Sequence, residues 1–414
     1  MSQNSQKTPT VLVTDAHRGS SVSIIRSLGR KGWRVIAAAA SPHSPGLYSK
    51  YVAEKIIYPS PEDAPHACVK TLLEVARTKA VDLIIPVSAN VILPLSAARE
   101  QFEGICQLAL PEASALEVTI DKLKTIDLAK RIGVPTPRTC LVYTVAEALA
   151  QAKEFDWPIV LKPRASQLYH DQTAVESFEV CYAENSEQLA RQMRKFENHC
   201  AVLLQEYYKG TGHGVELLTH QGKLLAVFQH KRLRELPIYG GASAMRESVP
   251  LDPIMFDYAQ KLLQELNWTG LAMVEFKVGT AGPKLMEING RVWGSLPLAV
   301  FSGVDFPTYL AELYCKGAAQ LQQQTQSLYT VGVRARNLEL DLFWILSILG
   351  GRRRYPFLPA PSRTQGITAL LEIFNPTYKF DVLSLQDPRP GLVEIYTIMA
   401  KSAEKLKAIR QGKL

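Results

Sequence analysis

Short apolar runs alternate with amphipathic segments across the first 86 residues, and this alternation constrains the fold more than any other feature of the chain. Val11-Leu-Val-Thr14 reads as a buried strand, followed by the turn Asp15-Ala-His-Arg-Gly-Ser-Ser21 and an amphipathic helix from Val22 to Lys31. A second strand, Trp33 to Ala39, closes a βαβ unit. A helix from Leu72 to Lys79 and a strand from Val81 to Pro86 repeat the pattern, which predicts a parallel, doubly wound α/β sheet. Gly19 stands alone where a dinucleotide site needs three spaced glycines. The first turn is therefore read as a structural βα turn or as one wall of a substrate site.

At 414 residues the chain exceeds one average domain. An apolar fraction of 47% with 21% charged residues excludes disordered, collagenous and coiled-coil classes. The net charge of +8 favours anionic ligands such as nucleotides without demanding a nucleic-acid partner, and none is expected. Six scattered cysteines (Cys68, Cys106, Cys140, Cys181, Cys200, Cys315) have no metal-ligand spacing and read as reduced, small hydrophobes of a cytoplasmic protein. The polar N-terminus predicts no signal peptide. The most apolar late stretch, Leu338 to Leu349, carries Glu339 and Asp341 and falls short of the roughly 20 residues a spanning helix needs, so no transmembrane segment is expected.

The chemistry concentrates between residues 270 and 291. Val274-Glu275-Phe276 and Lys284-Leu-Met-Glu287-Ile-Asn289-Gly-Arg291 both alternate like strands, with the turn Gly279–Pro283 between them. Paired antiparallel, they bring Glu275, Glu287 and Asn289 to one face. Taken alone, such carboxylates read as a solvent face; here their neighbours (Met273, Val274, Leu285, Ile288) are of buried type, which favours a site. Two carboxylates and an amide supply hard oxygens for one or two Mg²⁺ ions, which also hold substrate phosphates; Mn²⁺ is a possible substitute. Arg291, further along that face, suits a developing anion.

Two lysines fit the other end of a nucleotide. Lys162 closes the apolar strand Pro158-Ile-Val-Leu, and Lys122 sits in the first turn of its helix, where a cation opposes the helix dipole unless it meets an anion. Val202-Leu-Leu-Gln-Glu206-Tyr-Tyr208 is an apolar strand ending in a carboxylate, a chemistry suited to an adenine amino group. His213 and Glu216 follow in a glycine-rich bend and suit ribose hydroxyls, although a plain turn explains them nearly as well.

With these residues in order, residues 10 to 320 resemble the ATP-grasp superfamily. The resemblance runs through the Asp121-Lys122 helix, its Gly133-Val-Pro-Thr-Pro terminus, Pro158–Lys162, Gln205-Glu206-Tyr-Tyr208, Glu275 and Glu287-Ile-Asn289-Gly-Arg291. It implies a Rossmann-like domain over 1–115 and an α+β ATP-grasp domain over 116–320 with a lid at about 135–205. A C-terminal extension over 321–414 follows the glutamine-rich joint Gln320 to Gln326 and lies outside the resemblance; within it, Arg352-Arg-Arg-Tyr suits an anionic or partner contact, and an ordinary capping subdomain is the commoner outcome. The family's pattern puts Lys122 and Lys162 on the ATP phosphates, Glu206 and Tyr208 by the adenine, and His213 at the ribose. Glu275, Glu287 and Asn289 would bind Mg²⁺, and Arg291 would face the reacting phosphoryl group.

A narrower likeness lies in Phe228-Gln-His230-Lys231-Arg232-Leu-Arg234-Glu235 with Gly240-Gly241-Ala-Ser243-Ala-Met-Arg246. It is similar to a bacterial subgroup of carboxylate–amine ligases and predicted carboligases. The likeness implies a clamp on a carboxylate and its acyl phosphate: Arg232 and Arg246 with Arg291 as catalytic cations, and His230, Arg234, Gly240, Gly241 and Ser243 around the substrate. The implied activity is ATP-dependent joining of a small carboxylate to an amine, with ADP and phosphate released. A bicarbonate-using or carbamoyl-phosphate-type enzyme and a non-catalytic nucleotide-binding protein are the alternatives. One departure is the loop after Lys162, which lacks the glycines usual in the family and offers Arg164, Ser166, Gln167 and His170 instead. A homodimer is the default expectation for a soluble enzyme.

Overall fold

The structure, a computed structural model, describes residues 8–410 except 166, 171–173, 178, 198, 322–327 and 352; of 167–170, 174–177, 320 and 405–410 it describes the backbone only. Ser166, Arg352, most of the 320–326 joint and the side chains of Gln167 and His170 thus lie outside the described residues.

The N-terminal alternation folds into five parallel strands in the spatial order Val52–Ile57, Arg34–Ala39, Thr10–Val13, Leu83–Ile85, Gln107–Leu108. The order reverses between Thr10–Val13 and Leu83–Ile85, so the crossovers leave a crevice beyond the carboxyl ends of these two strands. Asp15 fills its base: its carboxylate accepts hydrogen bonds from the Ser88 backbone N–H (2.9 Å) and the Ser88 hydroxyl (2.7 Å). The first helix starts at Gly19, three residues earlier than its apolar period suggests. A Cβ at Gly19 would lie 2.9 Å from the Cβ of Asp381, so glycine here admits the C-terminal segment against the helix start.

Four antiparallel strands (Cys181–Ala183, Ile159–Pro163, Val202–Glu206, Thr139–Val142) form a small sheet backed by the helices Val145–Gln151 and Ser186–Met193. Its far face buries Val142, Leu161, Leu189 and Leu204. A seven-stranded sheet holds the remainder, in the order Gly282–Asn289, Gly270–Gly279, Thr211–His220, Lys223–Leu236, Ala242–Ser248, Arg334–Arg336, Lys379–Phe380.

The last two of these strands come from the segment the sequence reads as an extension. It is hydrogen-bonded into the main sheet, and it reaches the first domain as well: Arg26, buried in the first helix, donates to Asp387 at 2.9 Å. None of the six cysteines forms a disulfide. Among the described residues no helix is long and apolar enough to cross a membrane.

Candidate functional site

A cleft of about 370 Å³ lies where the three sheets meet. The hairpin Gly270–Gly279/Gly282–Asn289 provides its floor, with Glu275 directly opposite Glu287 in register. A bulge at Met286 produces this pairing, since the register nearer the turn (Phe276 opposite Leu285) would otherwise set Glu275 against Met286. Asn289, two residues beyond Glu287, donates from Nδ2 to Glu287 Oε1 at 3.0 Å.

The helix Lys122–Arg131 enters the cleft by its first turn. Asp121 caps it, accepting the N–H groups of Leu123 (2.9 Å) and Lys124 (3.3 Å). Arg164 grips the same carboxylate from Nε (2.9 Å) and Nη2 (2.7 Å), while its carbonyl accepts the Lys122 N–H at 2.9 Å. Arg164 is thus occupied in joining two elements and is not free to cover a phosphate. Lys162, the residue that follows its apolar run Ile159-Val-Leu161, lines the same cleft.

The electrostatics of this group are mutual. Burial pushes the Lys162 ammonium down to about 8, opposed by Glu287 and assisted by Lys122. Burial also lowers Lys122, against the pull of Glu287. Glu287 itself is resisted by burial, yet Lys122 and Lys162 hold it below the ordinary carboxylate range. Glu275 goes the other way, pushed up to about 7 by burial and by Glu287, although Arg232 opposes this. Arg232 binds it bidentately, with Nη1 2.7 Å from Oε1, and also reaches Glu235 (3.0 Å) and the Gly241 carbonyl (3.1 Å). The contact to Gly241 depends on the turn at Gly240, where φ is +126°.

The other end of the cleft is aromatic and basic. Glu206 pairs with Lys284, whose ammonium lies 4.5 Å from the centre of the Tyr208 ring. The Tyr208 hydroxyl donates to the Gly282 carbonyl at 2.6 Å. Lys277, Tyr182 and Tyr207 complete this wall.

Lys122, Lys162, Glu206, Tyr208, Arg232, Gly240, Gly241, Ser243, Glu275, Glu287, Asn289 and Arg291 therefore line one cleft. Four residues expected with them do not. Arg246 is fully buried and ion-paired with Asp381, 135 residues away. Arg234 is held by Asp341 (2.7 Å) and Glu372 (2.7 Å), both from the C-terminal segment. His230 is fully buried against Glu216 and does not line the cleft, with burial driving the imidazole well down and the carboxyl well up. His213, pushed down to about 4 by burial and by Lys231, lies outside the cleft, and Glu216 is taken up by His230. The cation-rich motif is thus split: Arg232 serves the cleft, while its companions hold the sheet and the C-terminal segment together.

Lys277, Lys284 and Glu235 are the residues the sequence reading left out. Lys277 is two positions beyond Glu275 on the same strand, so the period-two alternation could have found it; Lys284, its register partner, is three positions from Glu287 and shares that side only through the bulge. Arg18, from the first βα turn, also lines the cleft, as does the C-terminal pair Asn337 and Leu340.

Among the described residues no three His, Cys, Asp or Glu side chains converge as a metal cluster. Two carboxylates and an amide oxygen suit an ion that completes its shell with phosphate and water. Of the three, Glu287 accepts from Asn289 through Oε1, whereas both Glu275 oxygens are met by Arg232.

A Rossmann-like sheet, a small antiparallel sheet and a large sheet around one lysine- and carboxylate-lined cleft have the arrangement of the ATP-grasp fold. The comparisons agree with that fold: the family model described as ATP-grasp in the biosynthetic pathway with Ter operon matches residues 198–337, about a third of the chain. The carbamoyl phosphate synthase large chain of Archaeoglobus fulgidus is 22% identical over 233 residues, covering 53% of this chain and 21% of that one. The 3-methyl-D-ornithine–L-lysine ligase of Methanosarcina mazei is 24% identical over 267 residues, 62% of each chain. The chain thus spans about a fifth of one relative and less than two thirds of the other. Among solved structures, N5-carboxyaminoimidazole synthetase from Staphylococcus aureus shares the fold with a TM-score of 0.62 at 15% identity, covering 83% of this chain and 85% of that one.

Proposed function

We propose that this protein is an ATP-dependent, ADP-forming ligase that activates a small carboxylate as an acyl phosphate and joins it to an amine. The observation that carries the reading is the gathering of Lys122, Lys162, Glu287, Asn289 and Arg291 on one cleft floor. A carboxylate is a poor electrophile because its resonance must be broken and its oxide leaves badly. In the first step a substrate carboxylate oxygen attacks the γ-phosphorus, the bond to the β-phosphate oxygen breaks, and ADP departs. In the second, the amine nitrogen attacks the acyl carbon, the acyl–oxygen bond breaks, and phosphate leaves; the nitrogen's protons pass to phosphate and water.

In this reading Lys122 and Lys162 bind the phosphates, Glu206 and Tyr208 flank the adenine, and Arg291 meets the charge that develops on the transferred group. Glu287 and Asn289, with Glu275, would hold Mg²⁺, which neutralises phosphate charge when bound. Arg232 orients Glu275 and lies beside the reacting carboxylate. The lid, about 135–205, would keep water from the acyl phosphate. Residues 1–115, 116–320 and 321–414 are the proposed domains, the last contributing walls to the site. Six cysteines that form no disulfide support a reducing, cytoplasmic setting, and a homodimer remains the default assembly.

The test is phosphate release from Mg-ATP with pooled carboxylates and amines, read together with mass spectrometry. Release with a new condensed mass, lost in Glu287→Gln, is the expected result. Full turnover in Glu287→Gln would refute it.

A further inference from the structure

A second cavity, of about 360 Å³, adjoins the cleft. Arg18, Lys122, Glu287, Asn289 and Arg291 border both spaces, and four of these five are residues proposed to carry the chemistry. It opens where the parallel sheet reverses its strand order, beside Ser88 at the end of Leu83–Ile85, the place where open α/β sheets receive ligands. Its size falls within the range of small-molecule sites and far exceeds what bicarbonate fills.

Beyond the shared border the lining is mainly apolar, with Ala89, Ile92 and Leu93 from one helix, Leu116 and Ile120 from another, and Ile288 from the floor; Ser88 and Thr119, whose hydroxyls donate to Asp15 and the Leu116 carbonyl, are its uncharged polar side chains. Its charged residues are Arg18, Lys122 and Arg291 against Glu287 alone. Glu287 is already balanced by Lys122 and Lys162 and accepts from Asn289. Asp15 is close by in the fold, but Ser88 and neighbouring groups consume its oxygens. Among the described residues Arg18 forms no ion pair, and burial together with Arg18 presses on the Arg291 guanidinium. An anion at this border is therefore welcome, whereas an ammonium group next to it would meet three cations and no unengaged carboxylate.

We infer that the acid activated by this protein is a carboxylate with an apolar body and no ammonium group near the carboxyl, its body seated in the second cavity and its carboxylate between Arg18 and Arg291. The inference rests on the ligase reading and narrows it: an amino acid, if used, enters as the amine and not as the acid.

Matched acids test it. 4-Methylpentanoate and leucine share a skeleton and differ only by the α-amino group, as do 3-phenylpropanoate and phenylalanine. With Mg-ATP and hydroxylamine as a surrogate amine, hydroxamate formation reads activation of the acid. At least tenfold faster hydroxamate from the amine-free member of a pair is expected, and equal or faster reaction of the amino acids overturns the inference. Ala89→Phe fills the cavity from a half-buried position, and Leu93→Asp places an anion in it; each should lower the rate at least tenfold. An undiminished rate in whichever of these variants folds overturns the cavity assignment. Saturation-transfer NMR of the acids with the full chain separates the two readings. Binding of 4-methylpentanoate that is lost in Leu93→Asp, with no hydroxamate from any acid, supports the cavity and refutes the ligase. Absence of binding by both apolar acids refutes the inference.

Discussion

Lys162 should destabilise the very fold that positions it. Burial takes its ammonium from 10.5 down to about 8, and this net figure already includes the attraction of Glu287. Such a displacement corresponds to about 3 kcal/mol at roughly 1.4 kcal/mol per tenfold change. The sign follows from proton binding. An unfolded lysine keeps its proton to about 10.4, whereas the folded one releases it near 8, so the unfolded chain binds more protons in between and stability rises with pH across that window. The penalty is complete below pH 8 and vanishes above about 10.5. Lys162→Met keeps the side-chain length and removes the charge. In thermal or denaturant unfolding of the ligand-free chain it should be more stable at pH 7, by up to about 3 kcal/mol, with the difference shrinking towards zero near pH 10. Nucleotide affinity should be lost at the same time. A variant less stable at pH 7, or a difference independent of pH, would show that Lys162 is compensated and refute the reasoning.

Three further outcomes follow from the contacts. Arg246→Met strands the buried Asp381 carboxylate and should cost about 3–5 kcal/mol, with much of the loss recovered by Arg246→Met/Asp381→Leu; unfolding midpoints of both variants decide this. Glu206→Ala should raise the KM for ATP about 10- to 100-fold and narrow the preference for ATP over GTP, as expected for the loss of one charged hydrogen bond; steady-state kinetics with both nucleotides measures it. Asp121→Ala removes the cap of the Lys122 helix and the partner of Arg164 and should cost about 1–2 kcal/mol, with Asp121→Asn intermediate because it retains a cap; unfolding curves compare the three chains.

The floor of the site was legible in the sequence because its geometry is local. Strand alternation and a short turn place Glu275, Glu287 and Asn289 on one hairpin, where a one-residue bulge sets Glu275 opposite Glu287, and an Asp at the start of an amphipathic run marks the Lys122 helix. The same local rules forecast the parallel sheet, since a βαβ unit closes within about 30 residues. They could not rank the cations of the 230–246 motif. His230, Arg232, Arg234 and Arg246 look alike on the page, and each is assigned by a partner far away along the chain or across the sheet: Glu216, Glu275, Asp341 with Glu372, and Asp381.

What the sequence determined by itself is the type of each element and the chemical repertoire of the floor. Only the tertiary structure decided which cations face the cleft, that the last 90 or so residues complete the large sheet, and that a second, apolar cavity abuts the first. Pairing between charges more than a hundred residues apart leaves no periodic trace. A buried arginine must find a carboxylate, and which one it finds depends on how the sheets stack and on no spacing within either strand.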